Sequence, residues 1–110
     1  MDSAREYAGY YLQRLREGRE EEAFFGLIDS DPAVVPVLLK AFAQEANPST
    51  RAAIVRCVWQ HRRPGDIRFL IELLYDPEPA VWKEALDGIV AIGAALLIVL
   101  VFALLLAFRF

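Results

Sequence analysis

The sequence predicts an all-α fold: a short α-solenoid of stacked antiparallel helix pairs, ending in an apolar C-terminal helix. Three observations predict it. Through the first 88 residues, apolar residues recur at three- and four-residue steps, and no segment alternates as a half-buried strand would. The second half falls on the first when slid back about 31 residues, a period of two helices and a turn. Finally, residues 89–108 carry no charge at all.

The elements follow in order. Ser3 and Glu6 form an S-x-x-E capping box, and Ala4, Tyr7, Ala8, Tyr11, Leu12 and Leu15 then line one face of a first helix. Gly18 suits the left-handed position that ends it. A second helix from about Arg19 places Glu20, Glu21 and Glu22 in its first turn, where negative charge favours the helix dipole, and buries Ala23, Phe24, Leu27 and Ile28. The next boundaries repeat one device. Asp31-Pro32, Asn47-Pro48 and Asp76-Pro77-Glu78-Pro79 each put a capping side chain before a proline at or near the first helical position. This predicts a third helix over 32–46 with Val35, Leu38, Leu39 and Phe42 inward, bent near Pro36. A fourth runs over 48–61 with Ile54, Val55, Val58 and Trp59 inward. After Arg62-Arg63-Pro64-Gly65, Asp66 is expected to cap a fifth helix that turns Ile67, Leu70, Ile71 and Leu74 inward, and a sixth starts near Pro79.

The superposition sets Pro48 on Pro79, Ile54 on Ala85, Val55 on Leu86, Cys57 on Gly88 and Val58 on Ile89. DPEPAVWKEALDGIVAIG, Asp76 to Gly93, and more loosely NPSTRAAIVRCVWQH, Asn47 to His61, resemble HEAT-like repeats, including the short bacterial forms grouped with phycobilin-lyase-like repeats. Asp76, Pro79, Val81, Ala85, Ile92 and Gly93 fit that pattern; Trp82 stands where an arginine is usual, and Gly88-Ile89-Val90 where Ala-Leu-Gly is usual. The resemblance covers about residues 19–93 and implies the fold far more than any activity. In such repeats the glycine matching Gly93 closes a first helix, and a second amphipathic helix follows. This chain departs there, continuing with AALLIVLVFALLLAF.

Twenty helical residues span about 30 Å, the thickness of a bilayer's hydrocarbon core. Fourteen of the residues in 89–108 are Leu, Ile, Val or Phe. A helix that is apolar all round needs cover on every side, which an 88-residue head does not supply. The expectation is therefore a membrane span over 89–108 that includes Ile89, Leu96, Leu97, Leu100, Phe102, Leu105 and Phe108, with Ile89 to Gly93 shared between the last repeat's core and the membrane. Lys83 on one side and Arg109 on the other orient it poorly. The N-terminus, charged and amphipathic, does not read as a signal peptide, so a single-pass C-terminal anchor with a cytoplasmic head is expected, a wholly cytoplasmic chain being the alternative. Ala91/Ala95 and Ala103/Ala107 are small-xxx-small pairs that would permit, without requiring, a homo-oligomer.

Little in the sequence points to chemistry. The net charge is −3, which argues against nucleic acid as a partner. One cysteine forms no internal disulfide, and one histidine with one cysteine is too few ligands of that type for a metal site. Cys57 and His61 are the only nucleophile–base candidates, four residues apart on one helix, and a core cysteine beside a surface histidine is the plainer reading. No enzyme and no cofactor are expected. One charge pattern stands out: Arg51, Arg56, Arg62, Arg63 and Arg68 against Asp66, followed by an acidic stretch from Glu72 to Asp87. It reads as the solvated edge of two repeats or as a basic ridge for an acidic protein partner, with lipid headgroups or nucleic acid as the remaining readings. Trp82, set where arginine is usual, joins these arginines as a candidate contact.

The domain reading is a helical-repeat head over 1–88, a transmembrane helix over 89–108 continuous with the last repeat helix, and a tail at 109–110. The expected function is a non-catalytic protein-binding module held at a membrane. Two alternatives stand beside it: a soluble HEAT-like adaptor or inhibitor whose apolar tail is a truncation, frame or fusion artefact, and an accessory subunit of a cofactor- or chromophore-attaching lyase.

Overall fold

Helix formation follows the punctuation. The computed structural model describes residues 3–108, and these form α1 (Ser3–Arg16), α2 (Glu20–Ile28), α3 (Val34–Gln44), α4 (Pro48–Trp59), α5 (Ile67–Leu73) and α6 (Pro79–Ala107), with a 3-10 turn over Pro64–Asp66 leading into α5. No strand occurs among the described residues. Helix α1 already contains Ser3, which displaces the expected capping position outside the described residues. Its other end is as expected. Gly18 sits at φ +83°, and the Arg19 amide reaches back to the Arg14 carbonyl at 2.9 Å, closing the last turn.

The three proline boundaries are two devices rather than one. Asn47 is a true N-cap, its side-chain oxygen accepting the Thr50 amide at 3.1 Å with Pro48 at the first helical position. Asp31 and Asp76 instead accept amides two residues on, from Ala33 at 2.8 Å and Glu78 at 3.0 Å. These Asx turns brace the chain one step ahead of the helix. That is why α3 begins at Val34 rather than Pro32, and why α6 has Glu78 at its N-cap without a side-chain bond. Asp66 departs further. It makes no capping bond, closes the 3-10 turn instead, and lies buried 3.4 Å from the Arg63 guanidinium.

Helices α2, α4 and α6 run parallel in one layer. Trp59, at the end of α4, lies against Gly88 of α6, while Arg51, at the start of α4, pairs with Asp76 just before α6. His61, just past α4, sets Nε2 2.8 Å from the Leu27 carbonyl near the end of α2. Helices α1, α3 and α5 pack behind them, α1 on α2 and α3, α3 on α4, and α5 on α6. Tyr7, early in α1, donates to the Gly26 carbonyl late in α2 at 2.8 Å, so that pair is antiparallel. Leu27, Leu38, Ile54, Val55, Val58, Leu70, Val81 and Ile92 are fully enclosed between the layers. Burying each stabilises the head by about 1.5–3 kcal/mol relative to exposure.

Two expected core faces shift. In α5, Leu70 and Leu73 are buried and Ile67 is half-buried, while Ile71 and Leu74 point outward at 46% and 38% exposure. The 3-10 turn advances three residues per turn rather than 3.6, and a two-turn helix entered that way presents a different stripe. In α1, Tyr7 and Tyr11 lie at the edge while Ala8, Leu12 and Leu15 hold the centre. Trp59 is half-buried, not core: its ring covers Gly88 and its Nε1 donates to Glu84 at 2.9 Å.

Helix α6 runs through Gly93 without a break. Its first half buries Val81, Ala85, Gly88 and Ile92 at steps of four, three and four, one stripe against α4 and α5. From Ala94 to Phe108 every residue is exposed.

Candidate functional site

The feature that organises the surface is the exit of α6 from the head. The helix is 29 residues long, about 43 Å at 1.5 Å per residue. Ile92 is its last buried residue, at 1% exposure. Beyond Gly93 the helix is exposed throughout: Leu97 is 60% exposed, Phe102 63%, Leu105 63% and Phe108 83%. By length and composition α6 is the one helix among the described residues able to cross a membrane. Of the residues expected in the span, Leu96, Leu97, Leu100, Phe102, Leu105 and Phe108 are exposed, and Ile89 packs half-buried against the core.

Close approach of α4 and α6 depends on a glycine. A Cβ at Gly88 would lie 2.7 Å from the Trp59 side chain, so nothing larger fits without moving the indole. Cys57, the position that superposes on Gly88, is likewise fully buried, and burial pushes its thiol up to about 12. At neutral pH it is a packed apolar group rather than a thiolate. His61 directs its Nε2 at the Leu27 carbonyl and so ties α4 to α2. The Cys57–His61 pair is thus split between the core and a helix-to-helix hydrogen bond. Among the described residues no three His, Cys, Asp or Glu side chains converge on a metal-sized site.

The five arginines do not form one ridge. Arg51 lies at the start of α4, its guanidinium meeting both Asp76 oxygens at 3.2 and 2.8 Å and capping the Phe42 ring at 4.7 Å. That bidentate bond holds the Asp76 carboxyl below the usual carboxylate range, against the opposing effect of burial. Arg56 projects from the last turn of α4, 4.9 Å from the Phe24 ring. Arg62, Arg63 and Arg68 gather at the opposite end from Arg51, on the α4–α5 loop and the first turn of α5. Arg63 is drawn to Asp66. Arg68 is 93% exposed, with Glu72 3.9 Å away. Arg62 is exposed and holds φ +52°, the left-handed region that costs a non-glycine residue about 1–2 kcal/mol.

Trp82 is half-buried, with the Lys83 ammonium 5.7 Å from its ring. Leu86 and Val90 follow it at four-residue steps and are 43% and 61% exposed. They share a side of α6 that no described helix covers, and Ile71 and Leu74 of α5 are exposed as well.

Sequence reasoning missed the left-handed Arg62, because the favoured residue there is glycine and Gly65 lies three positions on. It also missed that Arg62 and Arg63 stand beside the exit of α6, which follows only once Trp59 is seen on Gly88. No family model, curated protein or solved structure matches this chain.

Proposed function

We propose that this protein is a non-catalytic, HEAT-like protein-binding module held at a membrane by the second half of α6. The observation that carries the reading is one uninterrupted helix with two environments. Its first half belongs to the packed head, and its second half, from Ala94, is apolar and exposed on every side. Fifteen such residues left in water would be an apolar surface far beyond what a soluble monomer carries. In a bilayer the same residues are favourable, and the helix satisfies its own backbone hydrogen bonds.

Parallel α2, α4 and α6 backed by α1, α3 and α5 support a solenoid built from helix pairs, with α6 packed on α5 as the second helix of the last pair and running on beyond it. The uncovered side of α6, at Trp82, Leu86 and Val90, is where the next helix of such a stack would lie, and it is the surface assigned to a protein partner.

Cell fractionation tests the anchor. The full chain is expected in the membrane pellet and resistant to alkaline carbonate, with a chain ending at Gly93 in the supernatant. Monomeric full-length protein in the soluble fraction without detergent would sink the reading. The partner surface is tested separately by crosslinking in membranes: Trp82→Ala is expected to weaken the crosslinked species at least tenfold, and an unchanged pattern would move the surface elsewhere.

A further inference from the structure

We propose that the α4–α5 loop, through Arg62 and Arg68, binds the phosphate groups of anionic lipids in the same bilayer that receives α6. This deepens the membrane-span reading and rests on it.

The first support is place. Helices α4 and α6 run parallel, and Trp59 at the end of α4 lies against Gly88. Arg62 follows Trp59 by three residues and therefore stands near the level of Ile92, the last buried residue of α6. The second is length. Residues 94–108 measure about 22 Å, short of the roughly 30 Å of a hydrocarbon core. The shortfall is met by local thinning of the bilayer, which draws this end of the head, at the level of Ile92, down to the headgroups. The polar zone there is about 5–8 Å deep on each side, deep enough to take in a loop and its arginine side chains.

The third support is charge. Arg63 is turned to the buried Asp66, and Arg68 has Glu72 3.9 Å away with both side chains largely in solvent, while Arg62 makes no ion pair among the described residues. Other acidic side chains near this end are Asp29 and Asp31, in the turn between α2 and α3, and the exposed Asp87 beside Gly88 on α6. The fourth is strain. Arg62 holds a left-handed backbone where glycine would sit without penalty, so a cation is kept at a position that folding alone would fill otherwise. Its guanidinium lies 5.9 Å from the Trp59 ring, and an indole with an arginine is the pairing found at the membrane interface. Guanidinium matches phosphate by two parallel hydrogen bonds. A loop lowered onto the bilayer leaves an acidic protein no approach, which favours lipid over protein as its ligand.

The test uses the full chain in vesicles of phosphatidylcholine alone or mixed with phosphatidylserine. A fluorophore is placed on Gly65→Cys, where a Cβ meets nothing within 4 Å, while Cys57 is buried and silent. Headgroup spin-labelled lipid is the quencher. Strong quenching is expected only with phosphatidylserine, and it should weaken as salt is raised. Arg62→Gly is expected to lower the ratio of docked to undocked heads about fivefold, and Arg62→Gly with Arg68→Ala about thirtyfold. Lys40→Ala, on α3, should change nothing. Arg62→Gly should unfold at the same temperature or higher, so its loss cannot be misfolding.

Equal quenching in both vesicles, or quenching indifferent to Arg62→Gly, would overturn the proposal while leaving the span intact. So would loss of an acidic peptide's binding in Arg62→Gly with headgroup quenching unchanged, which would make the loop a protein site. Release of the unsubstituted chain by alkaline carbonate would instead mean that the span reading itself had failed.

Discussion

At the scale of single residues, Gly88 and Trp59 decide how closely α4 and α6 approach. Gly88→Ala adds a Cβ 2.7 Å from the indole. Overpacking of that kind costs about 1–3 kcal/mol, against roughly 1 kcal/mol regained in helix propensity. The expected outcome is a lower unfolding temperature for the head. Gly93→Ala is the contrast: nothing lies within 4 Å of its Cβ, so the head should be unchanged or slightly more stable in thermal denaturation. Arg51 and Asp76 make the second residue-scale claim. The carboxyl is held below its ordinary value by the bidentate bond, so its contribution is complete above the unfolded value of about 3.9 and is lost as pH falls through the lower folded value. Asp76→Asn should cost about 1–2 kcal/mol at pH 7 and flatten the acid limb of stability below about pH 4 in urea titrations.

Legibility in the sequence tracks how local each determinant is. Asn47 and Pro48 act within three residues of each other, and α4 starts where they place it. Gly18 likewise ends α1 through its own φ. The inward face of α5 was not legible, because the 3-10 turn over Pro64–Asp66 resets its phase and brings Leu73 inward in place of Ile71 and Leu74. Trp59 misleads for a different reason. It continues an apolar stripe, but its surroundings are set by Gly88 and Glu84 on another helix.

At the scale of elements, α6 is the test case. A boundary between Gly88 and Ile89 divides charged from uncharged sequence, but packing divides the helix at Gly93, four residues later. Ile89 to Ile92 are apolar enough for lipid and also belong to the head, Ile92 at 1% exposure. A chain ending at Gly88 therefore loses a buried isoleucine that a chain ending at Gly93 keeps. Removing such a side chain from a core costs about 2–5 kcal/mol. Both chains should be recovered without detergent, and urea unfolding should place the shorter one lower by that amount. Equal stability would mean that Ile92 contributes nothing to the head.

At the scale of the molecule, helices α1 to α5 and the first half of α6 form a head, and the remaining half of α6 runs on beyond its last buried residue, Ile92, exposed throughout. The arginines at 62, 63 and 68 lie beside that exit, and the Arg51–Asp76 pair lies at the far end. The sequence held both the charges and the apolar helix, but their spatial relation needed the parallel run of α4 and α6. The central claim is that α6 passes from protein into lipid near Gly93. Single cysteines at Gly65, Leu97 and Val101, each in the full chain reconstituted in vesicles, test it through labelling by a membrane-impermeant maleimide, with buried Cys57 as the silent background. The account predicts rapid labelling at position 65 and labelling at 97 and 101 at least a hundredfold slower until detergent is added. Labelling at 97 and 101 as fast as at 65 would contradict it.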